Sequence, residues 1–516
     1  MMKMAIILFI ALALRLYGIN WDQGYHLHPD ERMLIMVTEK IDLFKNLNPN
    51  FFNYGSLPMY ILRLISPNGG YDSLLISGRI LSVVFDLVSV ILVYFIAEQL
   101  FKNKKISLFS SFLYSVAFFS IQNAHFFVVD VFLTAFTSIL IYLLLLYNDS
   151  PRKKILFFIG ITFAAMLATK FTAIIFYPIV VGIIFWKTFK KIKNLFLNLF
   201  YFHITFAIIH FLFMPYAYIE YLKFISDIKL QLQMNSNPYI FPYTLQYVGT
   251  LPYFYYLKNI FLWGLGPLIS ILSLIGLKSL RGIKRGSNMF VFFIFYLFYF
   301  LIVGRSAVKF MRYMLPIYPF FSILAGYGLV SLQEIAKRFL HKKRANLVVA
   351  IVMIALSVLW TFLFMNIYLQ PNSRITATDW ILKNIPKGST IAIEHWDDRL
   401  PIYNGGNFKY EELTLYDQPD SEYKWKLLNE KLNNSDYLII ASNRLYVPLQ
   451  KLVDCSKYLK CYPKTPQYYK RLFNGELGFK KIAEFKNQPL FINDQTADES
   501  FTVYDHPKIM IFKKLH

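Results

Sequence analysis

The stretch MAIILFIALALRLYGI at residues 4–19, followed by Tyr25-His26-Leu27-His28-Pro29-Asp30-Glu31-Arg32, decides how the chain is read. An apolar run close to the ~20 residues needed to cross a bilayer opens onto a loop holding two adjacent carboxylates. Lys3 and the short apolar core imitate a cleavable signal peptide. No small-residue cleavage site follows, however, and Arg15 interrupts the far end, so the segment reads as a retained span. Residues 20–73 then alternate aromatic, acidic and apolar positions, which suits amphipathic helices lying in a membrane interface.

Working outward, the same kind of apolar run recurs. Of 516 residues, 56% are hydrophobic and 16% charged, a balance that one soluble core cannot hide. The expected fold is a polytopic α-helical membrane protein with about eleven spans. They fall near 4–19, 74–100, 106–122, 131–147, 155–169, 171–186, 195–214, 257–277, 289–304, 312–333 and 346–366. The net charge of +23 does not indicate nucleic acid, because the cations sit in short inter-span loops and form no basic stripe. Lys102, Lys104 and Lys105; Arg152, Lys153 and Lys154; Lys187, Lys190, Lys191 and Lys193; Lys278, Arg281, Lys284 and Arg285; and Lys337, Arg338, Lys342, Lys343 and Arg344 occupy alternate loops. The positive-inside rule puts them, with the N-terminus, in the cytoplasm. The loops of Asp30 and Asp130, the Lys170 turn, loops 215–256 and 305–311, and everything after 367 then face outward.

The first expected domain, 1–366, is the membrane region; the second, 367–516, has the composition of an extracytoplasmic α/β domain. Helices are expected over Arg374–Lys383 and Glu422–Leu432. Strands are expected over Thr390–Glu394 and Tyr437–Ala441 and near 480–485 and 508–513, with breaks at Pro386-Lys387-Gly388 and Asn433-Asn434. Cys455 and Cys461 both lie here; an oxidising compartment permits a disulfide, and their spacing fits no zinc pattern. There is no internal repeat.

Candidate chemistry gathers on the outward side. Asp30 follows Pro29 at a helix start, where one acid would suffice to complement the helix dipole. Two neighbouring carboxylates, whose desolvation and repulsion raise a pKa, better suit a general base. Asp130 opens the fourth span and reads equally as a helix N-cap or as a second acid. Lys170, between two apolar spans, either snorkels or meets an anion. Arg305, Lys309 and Arg312 crowd another outward turn against the positive-inside tendency, so an anionic partner such as a lipid phosphate is expected. Arg79 and Asp86, seven residues apart, read as a structural polar pair on one helix face. In the second domain, Glu394-His395-Trp396-Asp397-Asp398 ends a predicted strand, where a solvated loop competes with binding of a metal, a sugar or an acceptor. One base plus a cation cluster suffices to displace a phosphate from an anomeric carbon, and a single displacement inverts that centre.

His28-Pro29-Asp30-Glu31, Asn53-Tyr54-Gly55-Ser56-Leu57-Pro58, Gly78-Arg79, the His125 to Asp130 segment, Ala168-Thr169-Lys170 and Lys309-Phe310-Met311-Arg312-Tyr313 together resemble glycosyltransferase family 39 of the GT-C fold class. That family includes protein O-mannosyltransferases and lipid A aminoarabinose transferases, and the likeness covers about 1–366. The resemblance implies a polyprenyl-phosphate-linked sugar donor, a protein, lipid or glycan acceptor, no resident cofactor, and a site between membrane and outer domain. It makes Asp30 the base with Glu31 beside it and Asp130 the second-loop acid. Lys170 goes to the donor phosphate, with Arg305, Lys309 and Arg312 as weaker phosphate ligands. His28, Tyr54 and His125, with Glu394, His395 and Asp397, complete the candidate substrate contacts. No metal ligand set is assigned, although the outward acids leave a divalent cation open. The eukaryotic β-trefoil insert is lacking, which favours a bacterial or archaeal cell membrane. The rival function, a transporter or flippase for a lipid-linked or anionic substrate, would show broken helices and paired halves, which the sequence does not.

Overall fold

The computed structural model describes residues 2–280, 284–340 and 345–515. Arg281, Lys342, Lys343 and Arg344, part of the loop-cation pattern, lie outside them. The chain divides into two compact units. One comprises Met1–Ile19, His28–Leu232 and Leu251–Phe362, and the other Asn20–Leu27, Gln233–Thr250 and Leu363–His516.

The first unit is helical. It opens with α1 (Met2–Leu16), α2 (Pro29–Glu39), α3 (Leu57–Ile65), α4 (Tyr71–Phe101), α5 (Lys104–Ser115) and α6 (Phe118–Ala124). Next come α7 (Val129–Asp149), α8 (Lys153–Leu167), α9 (Tyr177–Thr188), α10 (Ile192–Phe213), α11 (Tyr216–Ile219) and α12 (Tyr221–Ser236). The series closes with α13 (Phe254–Asn259), α14 (Pro267–Ser279), α15 (Asn288–Gly304), α16 (Tyr318–Leu340) and α17 (Ala345–Met365). Every expected span falls on helix. Among the described residues, six helical stretches, 71–101, 129–149, 171–188, 192–213, 311–338 and 346–384, are long and apolar enough to cross a bilayer, so the protein is integral to the membrane.

Two of the other expected spans are broken, contrary to the sequence reading. The 106–122 span splits at Val116-Ala117, and the 257–277 span passes through a π-helical turn at Ile260–Gly264 and a left-handed Gly266. Helix breaks leave carbonyls that hydrocarbon cannot satisfy, so partners must come from neighbouring helices. Arg15 donates to the carbonyl of Ser115 at 2.9 Å, and Thr361 donates to that of Val116 at 2.6 Å. Periodicity alone could not reveal these breaks, because neither Pro nor Gly marks the first. Arg79 and Asp86 also differ from expectation: Asp86 receives Arg15 and the Tyr114 hydroxyl, whereas Arg79 turns to Glu31.

Helices α14 and α16 meet through glycines. A Cβ on Gly276 would stand 2.0 Å from the carbonyl oxygen of Leu324, and one on Gly328 would stand 2.0 Å from that of Leu272. Small residues let membrane helices approach this closely.

The second unit is built on a five-stranded sheet. Its elements are α18 (Ser373–Asn384), β1 (Thr390–Glu394), β2 (Lys409–Leu413), α19 (Glu422–Asn433), β3 (Tyr437–Ile440), α20 (Tyr446–Leu449), α21 (Thr465–Phe473), β4 (Phe479–Phe485) and β5 (Ile509–Lys514). The order is β2-β1-β3-β5-β4, with β2, β1 and β3 parallel and β5 and β4 antiparallel. Alternate residues of the central strands pack on opposite faces. Ala392, Leu438 and Ile440 meet Trp425 and Tyr469 on one side, while Ile391, Ile393 and Ile439 meet Ala377 and Ile381 on the other. Strand β2 escaped sequence reading because Lys-Tyr-Glu-Glu-Leu, at an edge, has no apolar alternation. Cys455 and Cys461 form a disulfide.

Gly276→Val and Gly328→Val should each force α14 and α16 apart, with a cost of at least about 1–3 kcal/mol. Thermal unfolding in detergent should show a lower midpoint for both; an unchanged midpoint would mean that the contact is dispensable.

Candidate active site

Helix α2 places the acidic pair. His28 is its N-cap, with Nδ1 accepting the Glu31 amide at 3.3 Å, and Pro29 pre-sets the first turn. The ring of His28 lies 4.6 Å from that of Phe126. Consecutive helical residues point about 100° apart, so Asp30 and Glu31 cannot share one partner set. Glu31 is fully buried and takes a bidentate grip from Arg79, Nε to Oε1 at 3.0 Å and Nη2 to Oε2 at 2.7 Å. The amide of Phe127 donates to the same Oε1 at 2.8 Å. Arg79 also donates to the Ile19 carbonyl at 2.9 Å.

Asp30 faces the other way, its side chain about 26% exposed and its Oδ2 2.7 Å from Arg312 Nη2. Arg312 reaches Asp130 at 3.7 Å, and Lys170 Nζ donates to Asp130 Oδ1 at 2.6 Å. Two acids and two cations from α2, α7, the Lys170 turn and the 3-10 turn Met311–Ile317 therefore form one network. Lys170 sits 4.4 Å from the centre of the Tyr313 ring and Arg312 4.8 Å from that of Phe310, so aromatic faces hold both cations in place. The N-cap of α7 is Val128 rather than Asp130, which frees that carboxylate for the network.

Burial pushes the carboxyl of Asp30 upward, but Arg312, His28, Lys170 and a hydrogen bond from Tyr54 outweigh it and leave the group below the ordinary carboxylate range. This reverses the sequence expectation of a raised acid, because Glu31 points away and Arg312 comes close. Burial lowers the ammonium of Lys170, only partly offset by Asp130, and burial beside Asp30 raises the phenol of Tyr54 well above its usual range.

Two backbone hydrogen bonds, Gly55 to the Thr169 carbonyl and Leu57 to the Ala168 carbonyl, both 3.0 Å, join the Tyr54 loop to the Lys170 turn. A Cβ on Gly55 would collide with the Ala168 oxygen at 1.9 Å, so only glycine fits there. Beside Tyr54 lies an apolar cavity of about 160 Å³, lined by Phe52, Leu167, Phe171, Met214 and Phe224 among others.

The remaining candidates are placed differently. His125 is fully buried, with both ring nitrogens 2.8 Å from main-chain carbonyls of Ile121 and Tyr17, a structural position. Arg305 caps the exposed end of α15, and buried Lys309 donates to the Ala307 carbonyl at 3.0 Å. Glu394, His395 and Asp397 belong to the second unit. Among the described residues, no group of three or more His, Cys, Asp and Glu could hold a metal ion. Tyr313 and the Phe127 amide were not anticipated; an aromatic residue next to Arg312 was the only sign of the former.

The fold class follows from comparison with solved structures. The apo oligosaccharyltransferase of Archaeoglobus fulgidus superposes with a TM-score of 0.54 at 12% identity, covering 99% of this chain and 88% of that one. ArnT from Cupriavidus metallidurans, bound to undecaprenyl phosphate, superposes with a TM-score of 0.52 at 12% identity, covering 98% and 97%. The chain has the GT-C fold, a polytopic helical membrane region followed by a C-terminal domain. The resemblance to glycosyltransferase family 39 holds over residues 59–219, which match the family model described as dolichyl-phosphate-mannose-protein mannosyltransferase. Comparison with curated proteins gave no match.

Breaking a buried, fully bonded ion pair costs about 3–5 kcal/mol, so Arg79→Ala and Glu31→Ala should sharply reduce the yield of folded protein. Asp30→Asn should not, since its site is partly open. Size-exclusion profiles of the three variants test the contrast, and a well-folded Glu31→Ala protein would refute the clamp.

Proposed function

We propose that the protein is a metal-independent, inverting glycosyltransferase that moves a sugar from a polyprenyl-phosphate donor to a hydroxyl of a protein, lipid or glycan acceptor. The observation that carries this reading is the Asp30–Arg312–Asp130–Lys170 network, which joins one partly open carboxylate to two cations.

Asp30 takes the proton of the acceptor hydroxyl while the hydroxyl oxygen forms the new bond to the anomeric carbon. The bond from that carbon to the phosphate oxygen breaks, and the polyprenyl phosphate leaves with the electron pair, stabilised by Lys170 and Arg312. Asp130 positions the two cations, and Glu31 positions α2 through Arg79. The apolar cavity beside Tyr54 suits the first units of the polyprenyl chain. In the resting network Arg312 keeps Asp30 ionised but weakly basic. A donor phosphate that draws Arg312 away would strengthen the base when substrate is present.

The site faces outward in this reading, with the N-terminus in the cytoplasm and the second unit outside. Lysine- and arginine-rich alternate loops support that orientation, as does the Cys455–Cys461 disulfide, a bond suited to an oxidising compartment. In this reading the membrane is the cell membrane of a bacterium or archaeon, because the sequence lacks the β-trefoil insert of the eukaryotic mannosyltransferases.

Asp30→Asn should abolish turnover, measured as release of free polyprenyl phosphate from a polyprenyl-phosphate mannose donor; retained turnover would remove Asp30 as the base. Lys170→Ala should raise the donor KM more than the acceptor KM, and equal changes would make the lysine purely structural. The acid limb of kcat/KM should lie below the ordinary carboxylate range, since Asp30 must be ionised and its pKa is depressed. Arg312→Gln removes its nearest cation, so this limb should move to higher pH; an unmoved limb would assign it to another group.

A further inference from the structure

The second unit carries a cluster of polar and aromatic side chains at the sheet's carboxyl edge that the transfer chemistry does not use. From β1 the chain passes to β2 on one side and then, through α19, to β3 on the other, so the connections diverge at the carboxyl ends of β1 and β3. Ligands of open α/β sheets sit at such switch points. Here the β1 end supplies Glu394-His395-Trp396-Asp397-Asp398, and the β3 end supplies Ser442-Asn443-Arg444.

These ends are cross-linked in a definite way. Ser442 donates to Asp397 at 2.7 Å, and Arg444 donates to the Trp396 carbonyl at 3.2 Å while its Nε holds Glu499 at 2.7 Å. Arg444 thus fixes Trp396 in a left-handed conformation, φ 76°, which a bulky residue seldom adopts. The indole NH is anchored on the Tyr416 hydroxyl, and the Tyr243 ring lies 6.2 Å away, yet Trp396 stays 41% exposed. An aromatic plane is being held out to solvent beside partly exposed acids. Glu394 adds an independent sign: it is 2% exposed, its Oε1 accepts the Tyr469 hydroxyl at 2.7 Å, and its buried Oε2 has no partner among the described residues. A buried polar atom without a hydrogen-bond partner is costly unless something completes it.

A rigid aromatic face next to several carboxylate acceptors matches one ligand chemistry well. A neutral sugar ring presents C–H groups on one face, which pack on indole, and a rim of hydroxyl donors, which carboxylates accept. We propose that the cluster of Trp396, Asp397 and Glu394 at the carboxyl end of β1 binds a neutral saccharide. Resting on the transferase reading, that saccharide is part of the acceptor, which makes the acceptor a glycan or glycan-bearing molecule.

Isothermal titration of the full-length protein in detergent with maltotriose, mannotriose and chitotriose tests this. At least one trisaccharide should bind in the millimolar range or tighter. Trp396→Ala and Asp397→Asn should each weaken it roughly tenfold, while Trp396→Phe, which keeps an aromatic plane, should retain most of the affinity with an unchanged melting temperature. Absence of binding by all three sugars would overturn the proposal, as would wild-type affinity in a folded Asp397→Asn variant. So would Trp396-dependent binding of a serine- and threonine-containing peptide in place of sugar. Asp30→Asn should bind the trisaccharide normally. Sugar binding with an Asp30→Asn enzyme that still turns over would therefore sink the catalytic assignment and leave the saccharide site standing.

Discussion

The Glu31–Arg79 pair is the constraint on which the membrane unit's polar chemistry turns. It is buried, bidentate and completed by the Phe127 amide, so it ties the first turn of α2 to α4 and to the approach of α7. Because neighbouring helical residues diverge, fixing Glu31 inward necessarily turns Asp30 outward to Arg312. The adjacent acids thus divide the work: one holds the helix in register and the other stays available to a ligand. Such a pair adds less net stability than its Coulomb attraction suggests, because two charges lose water. Its value lies in orientation.

The network beyond Asp30 is electrically balanced, with two carboxylates facing two cations. A closed set of this kind can persist beside hydrocarbon, where an isolated ammonium could not. Balance also means that neither cation can meet another anion without loosening its hold on a carboxylate. The aromatic faces of Tyr313 and Phe310 limit how far Lys170 and Arg312 can move in that exchange.

Much of this was legible in the sequence. Spans were readable because burial in lipid requires long apolar runs, and β1 and β3 because strands covered on both faces are almost continuously apolar. Asp30, Asp130, Lys170 and Arg312 stood out as charges in places where charges are expensive, and the structure brings these four together. What was illegible depends on direction and on partners distant in sequence. The divergence of Asp30 from Glu31, the choice of Glu31 over Asp86 by Arg79, and the sealing of His125 between two carbonyls all arise from three-dimensional placement. The break at Val116-Ala117 was hidden for the same reason, since Arg15 and Thr361 supply its missing hydrogen bonds from other helices.

The two short backbone bridges between the Gly55 and Lys170 segments have a mechanical meaning. Main-chain bonds of this sort leave little play, so Tyr54 and Lys170, which bonds to Asp130, travel as one piece whenever the surrounding bilayer thickens, thins or bends. The phenol of Tyr54 and the ammonium of Lys170 are thereby kept at a constant separation in a medium that is itself fluid.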